Sequence, residues 1–102
     1  MEKIALVTGS TSGIGLGVAR SLAEAGYRVV LNGFGTPDTI DSVLSEIGSL
    51  SSSEPIYIGT DLTDVVSIEK AINELLSSEG PVSVLVNNAG VQHTAPVDEF
   101  PV

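Results

Sequence analysis

The chain has 102 residues, contains no cysteine and carries a formal net charge of −9 from 13 acidic and 4 basic side chains. This composition excludes disulfides and thiolate metal sites, and it disfavours nucleic acid or an anionic membrane as a partner because both attract clustered Lys and Arg. With 42% hydrophobic but only 4% aromatic residues, we expect one small domain, residues 1–102, with an aliphatic core, in a soluble cytoplasmic protein.

Apolar runs and helical stripes alternate along the chain. The predicted strands are Lys3–Val7, Arg28–Asn32, Pro55–Gly59 and Val82–Val86. The predicted helices are Gly13–Ala25, a second capped by Thr36 with Pro37 in its first position, and a third capped by Thr63. A Ser-rich loop is predicted over Gly48–Glu54. The order β-α-β-α-β-α-β predicts an α/β fold: an incomplete Rossmann-type doubly wound parallel sheet with strand order 3-2-1-4 and an open edge at the fourth strand.

Each helix shows apolar residues at helical spacing, which predicts the face that it turns to the sheet. The predicted core residues are Ile14, Val18, Leu22 and Ala25 on the first helix, Ile40, Val43, Leu44 and Ile47 on the second, and Val65, Ile68, Ile72, Leu75 and Leu76 on the third.

The glycine-rich stretch Thr8–Gly15 lies between the first strand and the first helix. A turn in this context directs backbone N–H groups and a helix N-terminus at one point, where an anion can bind. Gly9 is expected to turn the chain off the strand, Gly13 to let a phosphate approach the backbone, and Gly15 to let the helix pack closely. The hydroxyls of Ser10, Thr11 and Ser12 can donate to phosphate oxygens. The predicted cofactor-binding residues here are Gly9, Ser10, Thr11, Ser12, Gly13, Ile14 and Gly15. A plain strand-to-helix loop is the alternative.

Three segments together resemble the short-chain dehydrogenase/reductase family. Thr8–Gly15 is similar to the TGxxxGxG fingerprint of that family, and Asn87–Gly90 is similar to its NNAG motif. Asp61-Leu62, after the third strand, matches its adenine-contacting position. The resemblance covers the whole chain and implies an oxidoreductase that binds a nicotinamide dinucleotide. It adds six residues to the predicted cofactor site: Asp61, Leu62, Asn87, Asn88, Ala89 and Gly90. The loop residue Phe34 is a further predicted cofactor contact, for the reason given next.

The choice between NAD and NADP is made at the end of the second strand, where the family places an acid for NAD or an Arg for NADP. Here these positions hold Gly33 and Phe34, so neither marker is present. NAD is favoured because no Lys or Arg follows this strand, and a 2′-phosphate would meet a strongly acidic chain without a partner. Phe34 would then pack on the adenosine, or it is a surface residue of the loop.

Two other segments, Leu31–Gly35 and Gly90–Pro96, resemble the members of the family that interconvert 3-hydroxybutyrate and acetoacetate with NAD. In those enzymes the amide that matches Gln92 helps to bind the substrate carboxylate; a solvated loop residue is the alternative. The resemblance gives His93 no catalytic role. Asp61 can equally be a turn residue, and we expect one of Asn87 and Asn88 to be structural.

The catalytic Ser and YxxxK pattern of the family have no match, since Tyr27 and Tyr57 are followed four residues later by Leu31 and Asp61. We therefore predict no catalytic residue and no metal site in this chain. We expect the N-terminal half of an enzyme, either truncated or a fragment of a longer product, that acts on a small hydroxy acid and can form homo-oligomers when complete. A non-catalytic dinucleotide-binding module, or a dehydrogenase of another substrate, is the alternative.

Overall fold

The elements of the fold follow the predicted alternation of strands and helices. The computed structural model describes residues 3–51, 53–60, 62, 64–88 and 93–96. Its strands are β1 (Ile4–Thr8), β2 (Arg28–Asn32), β3 (Ile56–Ile58), β4 (Val82–Asn87) and β5 (His93–Pro96), and its helices are α1 (Gly13–Glu24), α2 (Pro37–Leu50) and α3 (Val65–Ser78).

One sheet of order β3-β2-β1-β4-β5 organises these elements. The pairs β1–β2, β1–β4 and β2–β3 are parallel, which confirms the predicted order 3-2-1-4. The fifth strand was not predicted: His93–Pro96 pairs antiparallel with β4, so β4 is not the open edge expected from the sequence. Proline is compatible with this position because an edge strand leaves one side of its backbone without ladder partners.

The two faces of the sheet bury separate apolar clusters. Leu6 and Val30 face α3 in one cluster, whereas Val7 and Leu31 face α1 and α2 in the other. Successive strand residues thus point to opposite faces, and both faces are covered by helices. This arrangement confirms the doubly wound sheet.

The small residues of α1, and not its large ones, make its closest contact with the sheet. Gly15, Ala19 and Ala23 are its buried residues and lie four apart on one face. Ile14, predicted to be in the core, is 65% exposed, and Ala25 is also exposed, so the predicted face was wrong at both positions. Small side chains let the helix axis approach the strands closely, which rotates the larger side chains toward the rim of the contact.

On α3 the buried residues are Ile68, Ala71 and Leu75. Val65 and Leu76, which the apolar pattern placed in the core, are 39% and 55% exposed. Helical geometry, at 3.6 residues per turn, places residues 65 and 76 beside the face that carries Ile68, Ala71 and Leu75. The side chains of Val65 and Leu76 therefore lie at the edge of the buried face.

Helix boundaries differ from the prediction at the end of α2 and the start of α3, and α1 ends at Glu24, one residue before the predicted Ala25. Helix α2 runs to Leu50, through the start of the loop predicted over Gly48–Glu54, because Leu50 packs against the core and tertiary burial outweighs the weak helix propensity of Gly and Ser. Helix α3 is capped by Asp64, whose carboxylate accepts from the Ser67 N–H at 2.8 Å, and not by Thr63, which lies outside the described residues. The predicted Thr36 cap of α2 is confirmed, with the Thr39 N–H donating to its hydroxyl at 3.2 Å.

No helix in the described ranges is long and apolar enough to cross a bilayer. Nor do any three His, Cys, Asp or Glu side chains among those residues lie close enough together to hold a metal ion.

An ion pair between Arg20 of α1 and Glu46 of α2 ties the two helices together on one face of the sheet. A second contact joins Arg20 Nη2 to Glu46 Oε1 at 3.2 Å. The hydrogen bond from Arg20 lowers the pKa of the Glu46 carboxyl below its ordinary 4.5, and desolvation opposes this only in part.

Because the folded-state pKa is lowered, the contribution of Glu46 to stability is complete above about pH 4.5 and is lost as the pH falls through the lowered value. We expect the difference in unfolding free energy between the wild type and Glu46→Gln to shrink from about pH 6 to about pH 3, measured by urea denaturation. Glu69→Gln on α3 is the control, since it removes a glutamate without altering this pair. A difference between Glu46→Gln and wild type that is independent of pH would contradict the prediction.

Candidate functional site

The carboxyl ends of the parallel strands meet at one edge of the sheet. The register pairs Thr8 of β1 with Asn87 of β4, and Asn32 of β2 with Ile58 of β3. In open α/β sheets a crevice at this edge, where the strand order reverses between β1 and β4, is the usual ligand site.

Ser10 and Asn32 join the glycine-rich loop to the end of β2. The Ser10 N–H donates to the Asn32 carbonyl oxygen at 2.6 Å, and the Asn32 N–H donates to Ser10 Oγ at 2.9 Å. The Ser10 hydroxyl itself donates to the Val7 carbonyl oxygen at 2.8 Å, with the Asn32 carbonyl oxygen at 3.2 Å as the other acceptor in reach. Ser10 is fully buried, so its hydroxyl holds the loop in shape and does not face the crevice.

The side chain of Asn32 extends this network to β3. Its Nδ2 donates to the carbonyl oxygens of Ile58 at 2.8 Å and of Thr60 at 2.7 Å. Asn32 is 4% exposed, and a buried amide needs such partners because leaving it unpaired would cost about 1–3 kcal/mol. The turn after β3 is thereby fixed relative to β2.

On the other side of β1, Thr8 and Asn88 connect the loop to the end of β4. The Asn88 N–H donates to Thr8 Oγ1 at 2.9 Å, and Asn88 Nδ2 donates to the Gly9 carbonyl oxygen at 3.1 Å. Thr8 Oγ1 also lies 3.2 Å from Asn87 Oδ1. Both asparagines thus make hydrogen bonds within the protein, Asn88 from its backbone and its side chain, and a role for either at a bound ribose stays a prediction.

Gly15 lies where α1 passes closest to the loop that precedes it. A Cβ atom placed on Gly15 would overlap the carbonyl oxygen of Gly9 and lie 2.7 Å from Asn88 Nδ2. The absence of a side chain here allows the N-terminus of the helix to meet the ends of β1 and β4.

The first turn of α1 offers its N–H groups to a ligand. Ser12, the N-cap residue, makes no side-chain capping bond, and no acidic residue lies in the first turn. Gly13 has a φ of +61°, and a Cβ there would meet nothing within 4 Å, so its backbone borders open space. Uncapped N–H groups at a helix N-terminus beside an open surface suit an anion, and the residues present fit the pyrophosphate of a dinucleotide.

The remaining predicted cofactor residues differ in their surroundings. Thr11 is 7% exposed and its hydroxyl donates to the Phe34 carbonyl oxygen at 2.9 Å, whereas the side chains of Ile14 and Phe34 are 65% and 74% exposed. Leu62 is 1% exposed and packs in the core beneath α3, so its side chain anchors the turn after β3. The predicted residues Asp61, Ala89, Gly90 and Gln92 lie outside the described residues.

The sequence analysis gave no role to three side chains that make hydrogen bonds at this edge: Thr8, Asn32 and Tyr57, whose hydroxyl donates to the Gly33 carbonyl oxygen. Each of the first two is the last residue of its strand and directly follows an apolar run, and a polar residue at that position is the signal that could have identified it. Tyr57 gives no such signal, because a tyrosine within a short strand is typical of ordinary packing.

Comparison with known proteins agrees with this geometry. The family model described as short chain dehydrogenase matches residues 3–102, and the chain belongs to this family. Two proteins named D-beta-hydroxybutyrate dehydrogenase, from Rhizobium meliloti (strain 1021) and Cupriavidus necator, are 46% and 42% identical over 100% and 97% of this chain. The chain spans 40% and 38% of the length of these two relatives.

Solved structures show the same fold. A short-chain dehydrogenase/reductase from Sinorhizobium meliloti 1021 matches 99% of this chain and 44% of its own with a TM-score of 0.75 at 31% identity. L-sorbose reductase from Gluconobacter frateurii, solved with NADPH and L-sorbose, matches 98% of this chain and 38% of its own with a TM-score of 0.73 at 27% identity. The family fold binds a nicotinamide dinucleotide, and its members are oxidoreductases.

The close approach at Gly15 gives a direct test. Gly15→Ala is expected to destabilise the full chain by about 1–3 kcal/mol, because the added methyl group must displace the Gly9 carbonyl or the helix. Gly17→Ala, two residues further along α1, is the matched control: a Cβ there meets nothing within 4 Å, so it should stabilise the helix by about 0.5–1 kcal/mol. Chemical denaturation measures both variants. Equal effects would show that the helix does not depend on the contact at Gly15.

Proposed function

We propose that this chain is the cofactor-binding part of an NAD-dependent dehydrogenase that interconverts 3-hydroxybutyrate and acetoacetate. The observation that carries the proposal is the uncapped first turn of α1 beside the open backbone of Gly13, which suits a pyrophosphate. The substrate is supported by the two relatives named D-beta-hydroxybutyrate dehydrogenase.

The choice of NAD over NADP is supported by where the positive charges lie. The four basic residues of the chain are Lys3, Arg20, Arg28 and Lys70, none of them in the glycine-rich loop or directly after β2. Arg20 pairs with Glu46, and Arg28 donates to Glu79 Oε1 at 2.6 Å, at the end of β2 opposite to Phe34. A 2′-phosphate beside Phe34 would therefore lack a cation from this part of the chain.

The residues of the chain would bind and orient the cofactor. Backbone N–H groups of residues 13–15 would hold the pyrophosphate, Phe34 would cover the adenosine, and Asp61 would accept from the adenine amino group. Asn87 with the Asn88–Gly90 segment would border the ribose nearer the nicotinamide, and Gln92 would donate to the substrate carboxylate. The bound nicotinamide supplies hydride chemistry at its C4, exchanged with C3 of the substrate.

The acid–base residues of the family are not among these 102 residues, since no Tyr is followed by Lys at the fourth position. The second candidate is a dinucleotide-binding module without catalysis. The two candidates share the cofactor site and differ in turnover. The cytoplasmic location and the homo-oligomeric state of the complete enzyme stay predictions.

A steady-state assay of the full-length gene product separates these functions. We expect NAD-dependent oxidation of D-3-hydroxybutyrate, followed as absorbance of the reduced nicotinamide, with kcat/KM at least about tenfold higher for NAD than for NADP. The 102 residues alone are expected to bind the dinucleotide without turnover. Binding without turnover by the full-length product would favour the module, and turnover of another hydroxy acid or sugar alone would assign another substrate.

The cofactor preference can be tested by placing a cation after β2. Phe34→Arg should raise the affinity for NADP relative to NAD by about tenfold or more, because a guanidinium pairs with the 2′-phosphate and the 74% exposed position tolerates the change. Phe34→Leu is the control, since it alters the apolar contact without adding charge. Dissociation constants for both dinucleotides give the ratio, and an unchanged ratio in Phe34→Arg would place the 2′-hydroxyl elsewhere.

A further inference from the structure

Two hydroxyls from different elements hold consecutive carbonyl groups just after β2. Tyr57 of β3 donates from its hydroxyl to the Gly33 carbonyl oxygen at 2.6 Å. Thr11 of the glycine-rich loop donates from its hydroxyl to the Phe34 carbonyl oxygen at 2.9 Å. The segment Gly33–Phe34 is thus fixed from both sides, by β3 and by the loop that precedes α1.

Packing at Gly33 brings the same segment against Thr11. A Cβ atom on Gly33 would lie 2.6 Å from Thr11 Oγ1 and 3.2 Å from Thr11 Cγ2, so the backbone there touches the threonine side chain directly. Gly33 and Thr11 are both buried, whereas the Phe34 side chain is 74% exposed. The backbone is held while the aromatic ring remains available at the surface.

These two bonds lie outside the sheet ladder, because β2 ends at Asn32. The carbonyl of Phe34 belongs to a stretch, residues 34–39, that is exposed to water. Water could satisfy the Phe34 carbonyl if the Thr11 hydroxyl were removed, so the fold does not depend strongly on that bond. What the two bonds do determine is the position of Gly33–Phe34 relative to the glycine-rich loop.

We propose that Thr11 and Tyr57 are positioning residues, which hold Gly33–Phe34 so that the adenosine ribose of the dinucleotide meets a preformed surface. This inference rests on the proposed cofactor site. The Thr11 side chain also connects the segment to the backbone that would hold the pyrophosphate. A ligand that spans both places would then bind without first ordering the segment, which is the general advantage of preorganisation.

The experiment compares variants of the full-length protein that lose one hydroxyl each. Tyr57→Phe and Thr11→Val remove the donors and keep the shape, Thr11→Ser restores a hydroxyl, and Tyr27→Phe removes the other tyrosine hydroxyl of the chain at the opposite end of β2. Titration calorimetry with ADP-ribose, NAD and NADP gives dissociation constants without any need for a substrate, and a thermal melt of each variant reports its stability.

We expect Tyr57→Phe and Thr11→Val each to weaken binding of ADP-ribose and NAD about three- to tenfold, the effect of one lost hydrogen bond. The preference for NAD over NADP should fall as well, because a loosened segment selects the unmodified ribose less strictly. Thr11→Ser should lose clearly less than Thr11→Val. The melting temperature of Thr11→Val should remain close to that of the wild type, because water can satisfy the exposed Phe34 carbonyl.

Three outcomes would overturn the inference. The first is an ADP-ribose affinity within twofold of wild type in both Tyr57→Phe and Thr11→Val, and the second is an unchanged ratio of the dissociation constants for NAD and NADP. The third is a loss of affinity in Tyr27→Phe as large as that in Tyr57→Phe. In each of these the wild type still binds NAD, so the proposed function would stand. Failure of the wild type to bind ADP-ribose and NAD would instead contradict the proposed function itself.

Discussion

The geometry of the site depends on the need to satisfy buried polar groups where the parallel strands end. Beyond the last ladder bond, backbone carbonyls and N–H groups of neighbouring strands lie in an interior that excludes water. Ser10 and Asn32 meet this need between β1 and β2 with two reciprocal bonds of 2.6 and 2.9 Å. Thr8 and Asn88 do the same between β1 and β4. The stability of the fold therefore requires short polar side chains at this edge of the sheet. Their hydrogen bonds determine the shape of the crevice.

That constraint divides the loop into a buried and an exposed part. The hydroxyls of Ser10 and Thr11 are used on carbonyl oxygens of the protein, so a phosphate would be held by backbone N–H groups of the next turn. Side-chain hydroxyls are rotatable donors, whereas N–H groups at a helix N-terminus have fixed directions and share the helix dipole. A loop whose side chains hold its own shape and whose backbone faces the ligand can bind an anion without reorganisation. Such a loop would let the chain bind the anionic cofactor of the proposed function despite its net charge of −9.

Hydrophobic periodicity and turn residues predicted the alternation of strands and helices and the position of the glycine-rich loop. The strand order 3-2-1-4 followed from the doubly wound architecture that this alternation implies. Hydrophobic periodicity placed Val18 and Leu22 of α1 correctly against the core. It missed the closest contact of α1, made by Gly15, Ala19 and Ala23, because small residues add little to an apolar stripe. Strand β5 was missed for another reason: four residues ending in proline carry no alternating pattern, and only pairing with β4 makes them a strand. The bond from Tyr57 to Gly33 joins residues 24 apart and has no local signature.

Long-range contacts such as the bond from Tyr57 to Gly33 matter most where a ligand is recognised through the position of the backbone. The segment after β2 has an exposed side chain at Phe34, and an exposed phenyl ring on a mobile loop would contribute little to affinity, since its ordering would oppose the gain from contact. Anchoring the two carbonyls from β3 and from the loop before α1 removes that cost in advance. The same anchors join the adenosine side of the crevice to the pyrophosphate side through a single threonine. In the proposed function, recognition of the ribose and binding of the phosphate would be properties of one connected framework, built on the strand ends that the core already fixes.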